Sequence, residues 1–440
     1  MNSRISSSQL ELQTSTIAER DRTFSRVIWR LIPFLMFVWF LAWIDRVSVS
    51  FAKLTMISDL QWSDTIYGVG AGIFFIGYFL FEVPSNLLLQ KIGAKKTIMR
   101  ITIGWGAICV LMAWVTSPLE FYILRFLMGV FEAGLQPGVI LYLTYWLPAH
   151  RRGKALGVFM SASALSLMFG SPIAAYLMET LNGTGGLSGW QWLFIVEGFP
   201  SVMAGIAAYF ILCDSPSKAR WLNARQKAHI ETELAEETQN FGPREHRFFA
   251  SIANARFWIL TLILFCIVAS NTTLVYYGPS IVREVGVTDV RTLGWVMAGV
   301  YAWGWLGMVG GGYFSDRGCG VKWNIAMTTA LGAFGLLLTA HFLEQGSAAG
   351  VVISLSIASA GTMGSLPIYW QIPSRYLSAG ALVVGIAFIN SAANLAGYFS
   401  PQLLAYFKSN TGQYTLGLTA VAAIELVATV LIISFISKAK

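Results

Sequence analysis

The sequence predicts an all-α membrane protein with twelve transmembrane helices in two six-helix bundles. Three observations predict it. The 440 residues are 55% hydrophobic and only 12% charged, with a mean hydropathy of +0.61. Soluble domains average about a quarter charged residues, so a disordered chain and a soluble enzyme both fit poorly. The apolar residues gather into twelve runs, each long enough to cross about 30 Å of hydrocarbon as a helix of roughly 20 residues. One long polar interval, 213–252, divides these runs six and six.

The first six runs lie near 27–51, 65–90, 97–116, 118–148, 152–179 and 190–212. The second six lie near 253–282, 291–315, 322–342, 347–374, 379–407 and 413–437. They are too long and too Gly-rich for the short alternating strands of a barrel. A helix satisfies its own backbone in lipid, which an open strand does not. Residues 1–26 are polar and Ser-rich, with no apolar stretch leading to a small-residue cleavage site. They are expected to form a cytoplasmic N-terminal tail, not a signal peptide. The expected organisation is therefore a tail at 1–26, a first bundle at 27–212, a cytoplasmic linker at 213–252 and a second bundle at 253–440. Within the linker, Lys218 to Gln239 is charged with spaced Leu and Ile and predicts a surface helix. Six plus six suggests an internal repeat, which places a substrate site between the halves. The internal echo is weak: Lys91–Lys96 after the second run and Gly312–Lys322 after the eighth.

Orientation follows from Lys and Arg, which accumulate on cytoplasmic loops. With the N-terminus inside, 24 of the 30 basic residues fall on cytoplasmic segments. Lys53, Arg283, Arg291 and Lys408 fall outside, and Arg46 and Arg125 fall within helices. Both termini are thus expected in the cytoplasm, with the protein in the cell's inner membrane. The net charge of +8 is read as an insertion signal, so no nucleic-acid partner is expected. The four cysteines, Cys109, Cys213, Cys266 and Cys319, are far apart and include no CxxC pair, which gives no support to a zinc site or disulfide framework. No cofactor is expected. Asn182-Gly183-Thr184 is a sequon that carries little weight outside a glycosylating host.

An ionisable residue at mid-helix costs about 2.5–3.5 kcal/mol on insertion scales and usually marks a pathway. Asp45 and Arg46 in the first run, Glu82 in the second, and Arg125 and Glu132 in the fourth are such residues. Arg125 and Glu132 are seven apart, on one helix face and roughly 10 Å apart along the axis. Asp45 and Arg46 are adjacent and point about 100° apart, so each needs a different partner. Charge alone suggests Arg46 with Glu132 and Asp45 with Arg125. Buried pairs are poor stabilisers for their desolvation cost, which favours a functional reading over a structural one. A carboxyl in low dielectric can carry a proton, and an arginine matches a carboxylate bidentately. Protonation of Asp45 or Glu132 would free an arginine for an anionic substrate. Glu82, before Pro84, suggests gating or loop anchoring; Glu197 and Glu425 read as structural.

The second half supplies amides and aromatics. Pro367-Ile368-Tyr369-Trp370-Gln371-Ile372-Pro373 has two prolines that permit bending. Asn390 and Asn394 share one helix face, and Asn271 precedes Tyr276-Tyr277-Gly278-Pro279. The two tyrosines read as interface anchors. Asn271 and Gln371 join the candidate substrate ligands, in a site suited to an anion with hydroxyls or a ring.

The chain resembles the anion:cation symporter family of the major facilitator superfamily, whose members include phthalate, tartrate, hydroxyphenylacetate and galactonate transporters. The resemblance spans nearly the whole chain. It rests on Ile44-Asp45-Arg46-Val47, Gly77-Tyr78-Phe79, Glu82-Val83-Pro84-Ser85-Asn86-Leu87, Arg125-Phe126 and Phe131-Glu132-Ala133-Gly134. Gln191-Trp192-Leu193-Phe194-Ile195-Val196-Glu197-Gly198, Trp370-Gln371-Ile372-Pro373 and Ile389-Asn390-Ser391-Ala392-Ala393-Asn394 complete it. The resemblance implies a major facilitator fold and proton-coupled uptake of an organic anion by alternating access. It implies Arg46 as ligand of the substrate carboxylate, Asp45 and Glu132 as proton-linked acids and Arg125 as their charge partner. Tyr78, Ser163, Trp370 and Asn390 are implied to line the cavity. Ser48 departs from the family's frequent Asn, the superfamily loop motif is degenerate after the second run, and after the eighth it is irregular beyond Arg317. Gly170-Ser171-Pro172 matches the Gly-Pro motif of antiporters only faintly, which favours symport.

The expected function is therefore secondary active symport of protons with a small organic anion, an aromatic carboxylate or a sugar- or hydroxy-acid, by a monomer in the lipid bilayer. The alternatives are an exchanger or exporter, and a transporter-like sensor that binds without flux. The sequence lacks HExxH, GxSxG and P-loop patterns, which argues against an enzyme and leaves an ion gradient as the energy source.

Overall fold

A computed structural model of the chain describes residues 7–241, 255–316, 320–373 and 379–436. The late linker, the Arg317–Cys319 part of the loop motif, Arg375, and the basic residues Arg4, Arg244, Arg247, Lys438 and Lys440 lie outside the described residues. The helices are α1 (Ser7–Asp59), α2 (Asp64–Ile92), α3 (Ala94–Leu111), α4 (Pro118–Glu132), α5 (Leu135–Thr144), α6 (Ala149–Thr180) and α7 (Gly189–Ile211). The linker helix is α8 (Ala224–Phe241). The second half has α9 (Ala255–Glu284), α10 (Val290–Asp316), α11 (Val321–Glu344), α12 (Ala348–Tyr369), α13 (Ala379–Asn394), α14 (Ala396–Thr411) and α15 (Thr415–Phe435).

Among the described residues, 11 helical segments are long and apolar enough to cross a membrane. The eleventh expected run, 379–407, is divided at Leu395 into α13 and α14 of 16 residues each, so neither half meets that length alone. The run at 118–148 is also divided. Gly134 adopts φ +86° between α4 and α5, a left-handed conformation that glycine takes without strain. A Cβ there would lie 2.7 Å from Ser85 Cβ, so the break presses the chain just after Glu132 against α2. The start of α4 is a capping box, with Ser117 and Glu120 satisfying each other's backbone N–H and Pro118 in the first turn.

The expected N-terminal tail is corrected in part: α1 is already helical from Ser7. Phe24, Val27 and Leu31 recur at helical spacing and are fully buried. They share a core with Leu222 and with Ile230 of α8. Glu19 pairs with Arg225 at 3.3 Å, and Asp21 with Arg151. The polar composition concealed an apolar stripe one residue in three or four. The end of the molecule that holds this docked α8 is called the connector end below, and the opposite end the far end.

The two bundles, α1–α7 and α9–α15, meet chiefly along four helix pairings: α2 with α14, α6 with α10, α1 with α9, and α2 with α13. Lipid tails are as apolar as leucine, so close approach of small residues drives such packing. Gly68 lies against Ala405, Gly72 against the Tyr398 carbonyl and Gly294 against the Ser171 carbonyl. Within the first bundle a Cβ on Gly129 would fall 2.0 Å from the Phe74 carbonyl oxygen, which fixes α4 on α2 beside the charges described next. Gly129→Val should therefore abolish the monodisperse folded protein in detergent. Gly153→Ala, at an exposed position with open space around it, should be neutral or raise stability by up to about 1 kcal/mol. Size-exclusion profiles and thermal unfolding distinguish the two.

Candidate functional site

Four ionisable side chains meet inside the first bundle. Asp45 and Arg46 leave α1 in different directions, and Arg125 and Glu132 come from one face of α4. Arg46 Nη2 donates to Glu132 Oε1 at 2.7 Å. Arg125 Nη1 faces Asp45 Oδ2 at 3.8 Å, beyond hydrogen-bond length. This is the combination expected from charge. The Arg46 side chain is 11% exposed, against 0% for Glu132 and Arg125 and 3% for Asp45. Arg46 is thus the most exposed member of the cluster.

Aromatic rings line the cations. The Arg46 guanidinium lies 4.3 Å from the Trp43 ring centroid and 5.5 Å from that of Phe74. Arg125 lies 4.9 Å from the same Phe74 ring. Phe74 therefore stands against both guanidiniums, with its negative face available to them. Arg125 spends further donors on α2, Nε to the Gly70 carbonyl at 3.2 Å and Nη2 to the Ala71 carbonyl at 3.4 Å. Its Nη2 also donates to the Tyr276 hydroxyl of the second bundle at 3.2 Å. Among the described residues neither oxygen of Asp45 has a hydrogen-bond partner within ordinary limits, nor has Glu132 Oε2.

Of the other sequence-predicted residues, Tyr78 is buried within electrostatic reach of Arg46, Glu132 and Glu82. Ser163 is buried on α6 and donates to the Met160 carbonyl at 2.8 Å. Asn271 is buried on α9, and its Oδ1 has no partner among the described residues. Trp370 and Gln371 are half-buried at the end of α12. Trp370 packs on the α9 and α13 core and edges onto Tyr369. Asn390 is engaged: its Nδ2 donates to Glu82 Oε1 at 3.2 Å, and Ser391 Oγ donates to Glu82 Oε2. Glu82 therefore ties α2 to α13 across the bundle interface, a partner that the sequence could not show. Glu425 receives Thr362 Oγ1 at 2.9 Å and 3.2 Å inside the second bundle. Glu197 lies on the buried face of α7 in the electrostatic neighbourhood of Asp45.

Three placements differ from expectation. Lys53, counted with an outer loop, is on α1 and buried, because α1 continues to Asp59 past the end of the apolar run. Its Nζ contacts Asp64 Oδ1 at 2.6 Å and donates to the Tyr414 hydroxyl at 3.0 Å. The rings of Tyr67, Tyr277 and Tyr414 surround it at 4.7, 4.1 and 5.3 Å. Tyr276 and Tyr277, expected as interface anchors, are fully buried in the seam between bundles. Tyr67 donates to the Tyr276 carbonyl at 3.1 Å. Arg283 donates to the Leu54 carbonyl, Arg291 pairs with Glu179 at 2.7 Å, and Thr65 and Ser409 share a 3.1 Å hydrogen bond. The far end is closed by this set. Its only sequence signal is a lysine set in Phe51-Ala52-Lys53-Leu54, too apolar for a loop.

Ion pairs buried inside two bundles of membrane-length helices suit a transporter. The comparisons agree. The profile described as Major Facilitator Superfamily matches residues 35–401, and the chain belongs to that superfamily. It is 40% identical over 412 residues, 93% of this chain and 90% of the other, to a protein provisionally named a tartrate transporter from Agrobacterium vitis. It is 35% identical over 415 residues, 94% of each chain, to a quinolone resistance transporter from Acinetobacter baumannii. The inward open xylose transporter XylE from E. coli shares the fold, with a TM-score of 0.75 at 15% identity over 94% of this chain and 97% of that one.

Lys53→Met leaves Asp64 without its cation and Tyr414 without its donor. Hydrogen bonds to charged groups contribute about 1.5–3 kcal/mol, so thermal unfolding in detergent should begin several degrees lower. Lys53→Arg should recover part of the loss. An unchanged transition for Lys53→Met would show that the aromatic cage holds the far end without the charge.

Proposed function

We propose that the protein couples inward proton movement to uptake of a small organic anion by alternating access. The observation that carries this reading is the buried Arg46–Glu132 ion pair, 2.7 Å long, with the Arg125–Asp45 pair beside it. An ionised Glu132 occupies the guanidinium. A proton on Glu132 releases it, and the planar fork then takes a substrate carboxylate through two parallel hydrogen bonds. Proton and anion are therefore bound together and neither is favoured alone, which is the requirement for symport. Asp45 and Arg125 form the second proton-linked pair. Arg46, Tyr78, Ser163, Asn271, Trp370, Gln371 and Asn390 are proposed as the substrate shell, with Asn390 leaving Glu82 when the bundles rearrange.

The substrate class is an aromatic carboxylate or a sugar- or hydroxy-acid. The name of the Agrobacterium vitis relative, a tartrate transporter, supports a hydroxylated acid. The distribution of Lys and Arg supports a connector end and both termini in the cytoplasm, in an inner membrane. The far end then faces outward. A second reading, an exporter or exchanger, has support in the name of the quinolone resistance relative.

Reconstituted protein under an inward proton gradient, supplied with aromatic carboxylates, sugar acids and tartrate-like diacids, should accumulate one acid. A protonophore should collapse that accumulation. Counterflow with no pH gradient and no proton-driven accumulation would instead establish exchange. Arg46→Ala removes one partner of a buried pair, a loss of about 3–5 kcal/mol, and should weaken anion binding at least a hundredfold. Glu132→Gln should retain counterflow but lose accumulation driven by protons. Normal pH-driven accumulation by Glu132→Gln would remove Glu132 from the mechanism.

A further inference from the structure

We propose that Tyr276 is the positioning residue through which the second bundle reads the charge state of Asp45, acting by way of Arg125; the inference rests on the symport reading above. Arg125 is completely buried and its guanidinium is committed in four directions, one of them from Nη1 to Met128 Sδ at 3.3 Å on its own helix. Two α2 carbonyls, of Gly70 and Ala71, hold one edge at 3.2 and 3.4 Å. The Tyr276 hydroxyl accepts from Nη2 at 3.2 Å. Asp45 stands off at 3.8 Å from Nη1, which leaves that contact slack while the bond to Tyr276 is made. Among the described residues Tyr276 is the partner of Arg125 that belongs to the other bundle.

Tyr276 is tied to the first bundle twice. Its hydroxyl accepts from Arg125 and its carbonyl from Tyr67 at 3.1 Å. Its ring also packs edge-on to Phe75, with centroids 6.1 Å apart. The first tie alone involves the charge cluster. An ionised Asp45 draws the guanidinium toward itself and away from Tyr276, which weakens the seam at the far end. A proton on Asp45 removes that pull, and Arg125 is left to Tyr276, which closes the seam. The groups that face Asp45 are Arg46 on its own helix, Cys109 on α3, Arg125 and Glu132 on α4, Glu197 on α7 and Tyr276 itself on α9. Of these, Arg125 is the cation whose other hand holds the opposite bundle. The device gives symport its order: the far end shuts once the proton is aboard, and the empty, deprotonated carrier reopens it.

The test uses the full-length protein with spin labels at Thr65→Cys and Ser409→Cys, exposed positions on either side of the far-end seam. Cys109, Cys213, Cys266 and Cys319 are first replaced by Ser or Ala. The label distance should widen as pH rises, and Asp45→Asn should hold it short at every pH. Tyr276→Phe deletes the hydroxyl and keeps the ring. Because the closed, protonated carrier then loses one hydrogen bond from Arg125, closure is less favoured and more protons are needed for it. The midpoint of the distance change, and that of proton-driven uptake, should move about one unit toward acid, the equivalent of a tenfold change in population. Counterflow should persist. Tyr67→Phe, which removes the tie that does not touch Arg125, should leave the midpoint where it is. An unmoved midpoint in Tyr276→Phe, or an equal shift in Tyr67→Phe, would overturn the proposal. If Tyr276→Phe does not fold, the distances decide alone: opening and closing of Asp45→Asn with pH, as in the unsubstituted protein, would overturn it. Failure of the symport reading shows earlier and separately, as no proton-driven uptake by the unsubstituted protein.

Discussion

A charge carried into hydrocarbon is tolerated only where the protein supplies its partner, and the first bundle gathers four such charges in one cluster. Arg46 with Glu132 and Arg125 with Asp45 answer one another across α1 and α4. The rest of the first bundle keeps them in range. Gly129 and Gly77 let α4 lie directly on the α2 backbone, which brings the Gly70 and Ala71 carbonyls to Arg125. Gly134 ends α4 just past Glu132. The Phe74 ring lies against both guanidiniums. The pairs are of little use as fasteners, because two desolvated charges regain little more than they lose. In the proposed mechanism they serve as an equilibrium that one proton or one carboxylate tips.

The second bundle answers with hydroxyls, amides and rings. Tyr276 takes a hydrogen bond from Arg125, Tyr414 takes one from Lys53, and Asn390 and Ser391 serve Glu82. Every one of these contacts links a charge of the first bundle to a neutral donor or acceptor of the second. A neutral partner makes the seam separable where the charge it leaves has an ion partner within its own bundle. Lys53 retains Asp64, both within the first bundle. Tight seams of Gly68 on Ala405 and Gly72 on Tyr398 supply contact without ionic cost. At the contacts of Arg125, Lys53 and Glu82 the charge comes from the first bundle and the neutral partner from the second.

The sequence showed the charge cluster because an ionisable residue in the middle of an apolar run is conspicuous and must have a reason. It showed the twelve crossings for the same reason, that length and apolarity are the terms of insertion. It did not show Lys53, because the apolar run ends near 51 while the helix continues to Asp59, and a lysine beside that end looks like a loop residue. It did not show the role of Tyr276, since a tyrosine near the end of a membrane helix reads alike whether it faces headgroups or a neighbouring helix. Glu82 with Ser391 joins residues 309 apart in the chain, and no local pattern names that partner. The helical start of the N-terminal segment was hidden by composition, although Phe24, Val27 and Leu31 carried the spacing. The break at Gly134 was not read either, since the run at 118–148 stays apolar across it and only the left-handed glycine marks the turn.

The central claim is that anion and proton bind as one event at Arg46 and Glu132. Calorimetric titration of the purified protein with the acid that the uptake panel selects, repeated in buffers of different ionisation enthalpy and at several pH values, counts the protons exchanged on binding. The account predicts tighter binding as pH falls and net uptake of about one proton for each anion bound, since Glu132 must surrender the guanidinium. Affinity independent of pH, or a net release of protons on binding, would contradict it.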